Sequence, residues 1–336
     1  MEPDALREIY RKAKQQGYGF FANNIADTNT LIGLLKGYSE KKSDLIIQIS
    51  PGAAAFAGDG DKLVGLRILS YTVRELARNY PIRVFINLDH FTVAEMELIK
   101  VAIEEELVAS IMIDASAESF EENVRISRTV KEMAEPMGIL IEAELGKIKG
   151  VEDEISSDEA FLTDPDEAVE FVQRSRADLL AISVGTEHGV SKGKDITLRT
   201  DIAKAIDQSL IASGLDIPLV LHGTSGLLPE QITEMISYGI CKLNKDTHYQ
   251  YVYGQAAHDF YLSHTSSIVP PNTIMKQTIA ADHIFKTSDW SPCKDYFDPR
   301  VVSKVVRERI KETAMELIEQ VGSAGKSLFD STGGTR

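Results

Sequence analysis

The chain is short of cysteine, of tryptophan and of positive charge. Its 336 residues include only 2 Cys and 1 Trp. The thiols, Cys241 and Cys293, stand apart and in no C-x-x-C pair, so a disulfide framework is not expected. Lys and Arg total 36 against 51 Asp and Glu, a formal net charge of -15. That balance argues against a general nucleic-acid binder, which needs a basic footprint to replace the counterions of phosphates. It leaves room for one local phosphate pocket. No apolar run approaches the roughly 20 residues that span a bilayer, so no membrane partner is expected. The opening MEPDALREIYRKAKQQ is charged and helix-like and lacks the apolar stretch of a signal peptide. A cytoplasmic protein of ordinary globular composition is the expectation.

What the chain does contain is a recurring unit. Short apolar runs are each closed by polar residues or glycine and followed by an amphipathic stretch. They are GFFANN (19–24), LIIQIS (45–50), VFINLDH (84–90), SIMIDAS (110–116), LIEAELG (140–146), LLAISVG (179–185), PLVLHG (218–223) and CKLNKDT (241–247). Most are continuously apolar, as parallel strands covered on both faces are. Between them, residues 62–80 carry Leu63, Leu66, Leu69, Val73 and Leu76 at helical spacing. Asp164-Pro165 and Pro229 look like helix starts. Eight such units predict a (β/α)8 TIM barrel, an α/β fold of about 250 residues. An open doubly wound sheet is the rival, but no G-x-G-x-x-G follows the first strand. The whole of 1–336 reads as one domain, with the barrel over about 17–262. A loop and helical extension covers about 263–327, including a terminal helix at 299–321, and the tail 328–336 is expected to be frayed.

Polar residues gather at the C-terminal ends of the predicted strands, the rim that carries active sites in this architecture. They are Asn24, Ser50, Asp89 with His90, Asp114 with Ser116, Glu142 with Glu144, His188, His222, and Asn244 with Asp246. Three of the seven histidines, His90, His188 and His222, fall at or just past strands 3, 6 and 7 and could converge above the barrel mouth. His248, His258, His264 and His283 fall on helices or the loop, where solvation is expected. Three imidazoles with an open fourth position suit a catalytic zinc, although cobalt, nickel and iron accept imidazole too. Glycines in GTEHG (185–189) and HGTSG (222–226) let the backbone approach closely, and Ser225 and Thr247 add hydroxyls. Oriented amides in the loops after strands 7 and 8, the usual phosphate site of this architecture, make an anion nest. Glycines of this kind also simply turn a chain.

At these residues the sequence resembles the class II, metal-dependent fructose-bisphosphate aldolases, including the tagatose-bisphosphate aldolases. The resemblance runs from about residue 17 to 327 through LDH (88–90), SIMIDAS, EAELG with GVED, VGTEHGV-x-KG, LHGTSG, KLNKDT, DPR (298–300) and GSAGK (322–326). It implies zinc, or another divalent metal, on His90, His188 and His222, with Glu144 at a second or displaced metal position. It implies that Asp89 exchanges a proton with the hydroxyl at the cleaved bond, and that Glu152 moves the proton on the carbon next to the carbonyl. Gly189, Gly223, Ser225, Asn244, Asp246 and Thr247 match the region that holds the ketose phosphate, and a monovalent cation is a further candidate cofactor. Asn24 and Ser50 match substrate contacts. Arg300 matches an arginine that reaches the far phosphate from a neighbouring subunit, which implies a homo-oligomer, dimer or tetramer; Lys294 is a further residue near the site.

The chemistry fits these residue types. Retro-aldol cleavage leaves electrons beside a ketone, and a metal can hold the resulting enediolate as a Lewis acid. A carboxylate on a loop then serves as acid or base. The alternative, a lysine Schiff base, is the poorer reading, since strand 6 has no Lys and strand 8 only Lys242 and Lys245. Departures from the family pattern are Asn87, Ala117, Lys149, Glu187, Thr224 and Lys245. They leave the aldehyde partner open, because Glu187 facing inward would disfavour an anion at that edge. The expected reaction is reversible cleavage of fructose 1,6-bisphosphate to dihydroxyacetone phosphate and glyceraldehyde 3-phosphate. Rivals are another ketose phosphate, such as tagatose 1,6-bisphosphate, and a non-catalytic partner subunit of an aldolase.

Overall fold

A computed structural model describes residues 3–152, 155–157, 161–188, 198–270 and 290–329. Eight strands close into a parallel barrel. In chain order they begin with β1 (Phe20–Asn24), β2 (Leu45–Ile49), β3 (Val84–Phe91), β4 (Ser110–Ile113) and β5 (Leu140–Leu145). After two short strands off the barrel, β6 (Lys149–Glu152) and β7 (Ile155–Ser157), comes β8 (Leu179–Ile182). Another short strand, β9 (Glu187–His188), precedes β10 (Leu219–Leu221) and β11 (Ile240–Lys245). Every neighbouring pair in the barrel is parallel, and β11 closes onto β1 with Phe20 beside Lys242. The predicted barrel is therefore the observed one.

Helices cover the outside because their apolar stripes match the outward residues of the strands. The predicted 62–80 helix runs over Lys62–Ala77; Leu66, Leu69 and Val73 are buried, and Leu63 is only half-buried. Asp164 caps the next predicted start by accepting the Asp166 and Glu167 N–H groups, with Pro165 in the first turn where a missing N–H is harmless. The terminal helix, Pro299–Gln320, is capped by Asp298. No described helix is long and apolar enough to cross a membrane.

The helix Pro3–Gln16 closes the bottom of the barrel. Leu6, Ile9, Tyr10 and Ala13 are buried against Phe20, Ile46, Phe85, Leu140, Leu179 and Val220, which come from strands all round the barrel. Each large side chain sealed here contributes about 1.5–3 kcal/mol relative to exposure. These side chains fill the lower lumen, and the strands end at the opposite rim.

Candidate active site

Inward positions of the strands change character half-way up. Because side chains alternate faces, residues two apart share the lumen. Ile46 is followed there by Gln48, Phe85 by Asn87 and Asp89, Leu140 by Glu142 and Glu144, Val220 by His222, and Lys242 by Asn244. All of these polar residues are buried. The lower barrel is therefore an apolar plug and the upper barrel a polar network.

Asp89 is held by three side-chain amides. Asn24 donates to its Oδ2 at 2.8 Å, and Gln48 and Asn244 donate to its Oδ1 at 2.7 and 2.9 Å. Gln48 escaped the sequence reading, although a polar residue inside LIIQI at inward parity was the available signal. Asn244 accepts from Lys242 Nζ at 2.7 Å, and that ammonium also lies 2.8 Å from Glu142 Oε2.

His90 and His222 meet beside this network. His90 Nδ1 lies 2.8 Å from Asp114 Oδ2, and His222 Nε2 lies 2.9 Å from Glu142 Oε1. Their remaining ring nitrogens, His90 Nε2 and His222 Nδ1, face one another at 3.0 Å, with Glu144 Oε2 at 3.4 Å from the latter. Burial raises the Asp114 carboxyl, but the hydrogen bond and charge of His90 reverse this and hold it well below the ordinary range. Burial likewise opposes ionisation of Glu142, yet the Lys242 charge and the His222 hydrogen bond bring it to about 2. For His222, burial outweighs the Glu142 hydrogen bond and keeps the ring below its usual pKa, hence neutral.

Each ring sets one nitrogen against a carboxylate and turns the other toward a shared point, where Glu144 Oε2 adds a third donor atom. Such a set calls for a cation. His90, Glu144 and His222 place ligand atoms within 4.8 Å of one another. Imidazoles backed by carboxylates are the usual support of a metal ligand, so the residues present fit a divalent metal. His90 takes a left-handed φ of 50°, where the pairing of β3 with β4 slips between Leu88 and Phe91. A non-glycine residue holds that conformation only where the surroundings impose it.

The segments that carry Glu152 and His188 pair as a ribbon, which the periodicity of the sequence does not predict. The strand Lys149–Glu152 pairs in parallel with Glu187–His188, setting Gly150 opposite His188, and antiparallel with Ile155–Ser157. Gly223, next to His222, packs on the same ribbon. Its φ is 62°, and a Cβ there would lie 2.6 Å from the Glu187 carbonyl oxygen, so only glycine fits. The main chain at His188 thus runs beside the His222 loop. The side chains of Glu152 and His188, and Gly189 altogether, lie outside the described residues.

The family follows from comparison with known proteins. The family described as "Fructose-bisphosphate aldolase class-II" matches residues 4–326. The chain belongs to the class II fructose-bisphosphate aldolase family. It is thus an aldolase, a lyase. It is 33% identical to the fructose-bisphosphate aldolase of Thermus caldophilus, over 95% of this chain and 98% of that one. Among solved structures it resembles fructose-bisphosphate aldolase from Campylobacter jejuni, with TM-score 0.82, 25% identity and 97% of each chain covered. The YdjI aldolase of Escherichia coli K12 matches with TM-score 0.69 and 26% identity, over 96% of this chain and 98% of that one.

Within this aldolase, Asn24, Ser50 and Asp246 line a cavity of about 440 Å³ that opens beside Asp89, over the ends of β1, β2 and β11. Ser50 also caps the following helix by accepting the Ala53 N–H. Ser225 is half-buried in a short turn, Thr224–Gly226, and Thr247 begins the helix Thr247–Ser263. Arg300 is not gathered into the site: it is exposed and pairs with Asp298. Lys294 is exposed as well. Of the four histidines expected to be solvated, His258 is, but two depart from that expectation. His248 is half-buried, because the helix carrying it packs on the barrel, and His264 stacks on Tyr296 at 4.1 Å between ring centres. His283 lies outside the described residues.

Proposed function

We propose that this chain is a zinc-dependent class II aldolase that reversibly cleaves fructose 1,6-bisphosphate to dihydroxyacetone phosphate and glyceraldehyde 3-phosphate. The observation that carries the reading is the cluster of His90, His222 and Glu144 beside a buried Asp89. His90, His222 and, in this reading, His188 hold the metal, with Glu144 as a further ligand; imidazole and carboxylate donors suit zinc. When bound, the metal supplies Lewis-acid stabilisation of the negative charge that develops beside the ketone.

The chain's own residues do the rest. Asp89, fixed by Asn24, Gln48 and Asn244, takes the proton of the hydroxyl at the bond being broken and returns it in condensation. Glu152 moves the proton on the carbon next to the carbonyl. Gly189, Gly223, Ser225, Asn244, Asp246 and Thr247 bind the ketose phosphate, and Asn24 and Ser50 the aldehyde half. The apolar plug below and the loop ribbon beside the mouth limit water. Arg300 of a neighbouring copy, in a cytoplasmic homo-oligomer, supplies the counter-charge of the far phosphate.

A second reading has its own support. The cavity beside Asn24 and Ser50 carries Asp27 and Asp246 but no Lys, Arg or His among its described lining residues. That favours a ketose phosphate whose far end is uncharged, unless Arg300 from another copy is present. Cleavage of fructose 1,6-bisphosphate, measured before chelation, after it and on return of zinc, tests the first reading. Activity that is lost and restored supports it. Metal-loaded protein that leaves this substrate intact turns the choice to the second. Protein that binds no metal points to a partner subunit. Glu152→Ala should retain metal while losing about 10²–10⁴ in turnover; unchanged kcat would move that proton transfer elsewhere.

A further inference from the structure

Lys245 is a buried cation that the chemistry above does not use. It follows Asn244 on β11, so it points away from the lumen into the layer between barrel and helices. Its side chain is 3% exposed, and its ammonium lies 4.7 Å from the ring centre of Phe21. Among the described residues it forms no ion pair with a carboxylate; its hydrogen bond goes to the Thr224 carbonyl, at 3.0 Å. Thr224 returns the contact by donating Oγ1 to the Asn244 carbonyl at 2.5 Å. These two bonds clasp the turn Thr224–Gly226 to the end of β11.

A buried ammonium without a counter-charge costs stability. Burial pushes its pKa down to about 8, which still leaves it mostly protonated at neutral pH. Peptide geometry says what that charge can do. In a trans peptide the carbonyl and the next N–H point in opposite directions. A Thr224 carbonyl drawn outward onto Lys245 therefore turns the Ser225 N–H back toward the barrel mouth. Hydrogen bonding of the carbonyl to a cation also polarises the peptide and strengthens that N–H as a donor.

We infer that Lys245 is a positioning residue for an anion. Acting through Thr224, it aims the Ser225 N–H at the phosphate end of the ketose and places a positive charge behind it. The inference rests on the reading above that the chain binds a phosphorylated ketose.

The test uses the zinc-loaded full chain, with inorganic phosphate and dihydroxyacetone phosphate as probes. Lys245→Met keeps the aliphatic stem and removes charge and donor. It should fold, with a ligand-free Tm equal to or above wild type. Both probes should bind about tenfold more weakly, a normal size for coupling between two sites. The loss should appear in KM for the phosphorylated ketose, with kcat changed by no more than about twofold. Unchanged probe affinity in the folded variant overturns the inference. A lower ligand-free Tm with unchanged KM also overturns it, since Lys245 is then only a brace. Thr224→Val removes the Oγ1 bond to Asn244 and leaves the Lys245 bond to the Thr224 carbonyl, which gives an independent reading. A smaller loss of phosphate affinity than in Lys245→Met supports the inference. An equal or larger loss overturns it, since the hydroxyl and not the ammonium then places the turn. Wild-type protein that binds neither probe overturns instead the proposed function, and the inference falls with it.

Discussion

Lys242 Nζ lies 2.8 Å from Glu142 Oε2 inside the barrel, and each side chain is 1% exposed. The pair joins two halves of the site. Glu142 accepts from His222, while Lys242 donates to Asn244, which in turn holds Asp89. Through Glu142, Lys242 and Asn244, three buried groups, His222 is thus linked to the Asp89 carboxylate.

Removing one member of such a pair strands the other. Lys242→Met should cost roughly 3–5 kcal/mol, because the Glu142 charge loses its partner in a dry interior. Thermal unfolding and metal content read this directly. A variant with wild-type Tm and full metal would mean that Glu142 draws its support from elsewhere.

Asp114 fixes the ring of His90. Asp114→Asn keeps the shape and removes the charge that orients the imidazole, so metal affinity should fall about 10–100-fold with the fold intact. Competition against a chelator of known affinity measures it. Equal affinity in both proteins would detach His90 from the metal assignment.

Lys14 pins the bottom plug by its contacts to Asp207 at 2.9 Å, Asp216 at 2.7 Å and the Ile217 carbonyl at 2.8 Å. Burial lowers its pKa, but the hydrogen bonds of Asp216 and Asp207 outweigh that and leave it above the ordinary 10.5. A raised folded value means that the stabilisation is complete below the unfolded pKa and lost as pH rises through the folded one. Lys14→Met should cost about 1–3 kcal/mol at neutral pH, and the gap to wild type should narrow above pH 10.5. Urea unfolding of both proteins across that range decides it. A gap that stays constant would show that the ammonium contributes packing and not charge.

The sequence by itself determined the barrel and much of its chemistry. Mostly apolar strands such as LIIQI and LLAI fit a sheet covered on both faces, and eight strand units between amphipathic helices leave little choice but closure. The rim residues Asn24, Asp89, His90, Glu144, His222 and Asn244 were legible for the same reason, since polar side chains at strand ends mark the mouth of a barrel. What only the tertiary structure decided is which of them touch. Gln48, Glu142 and Lys242 come from three strands and Asp114 from just past the end of a fourth, and they meet the site through hydrogen bonds, which local pattern does not encode. The ribbon that sets Gly150 opposite His188 joins two loops 38 positions apart along the chain. Lys245, one residue from Asn244 in sequence, faces the opposite side of the wall. Strand parity separates the two, and only packing against Thr224 and Phe21 gives the ammonium a place.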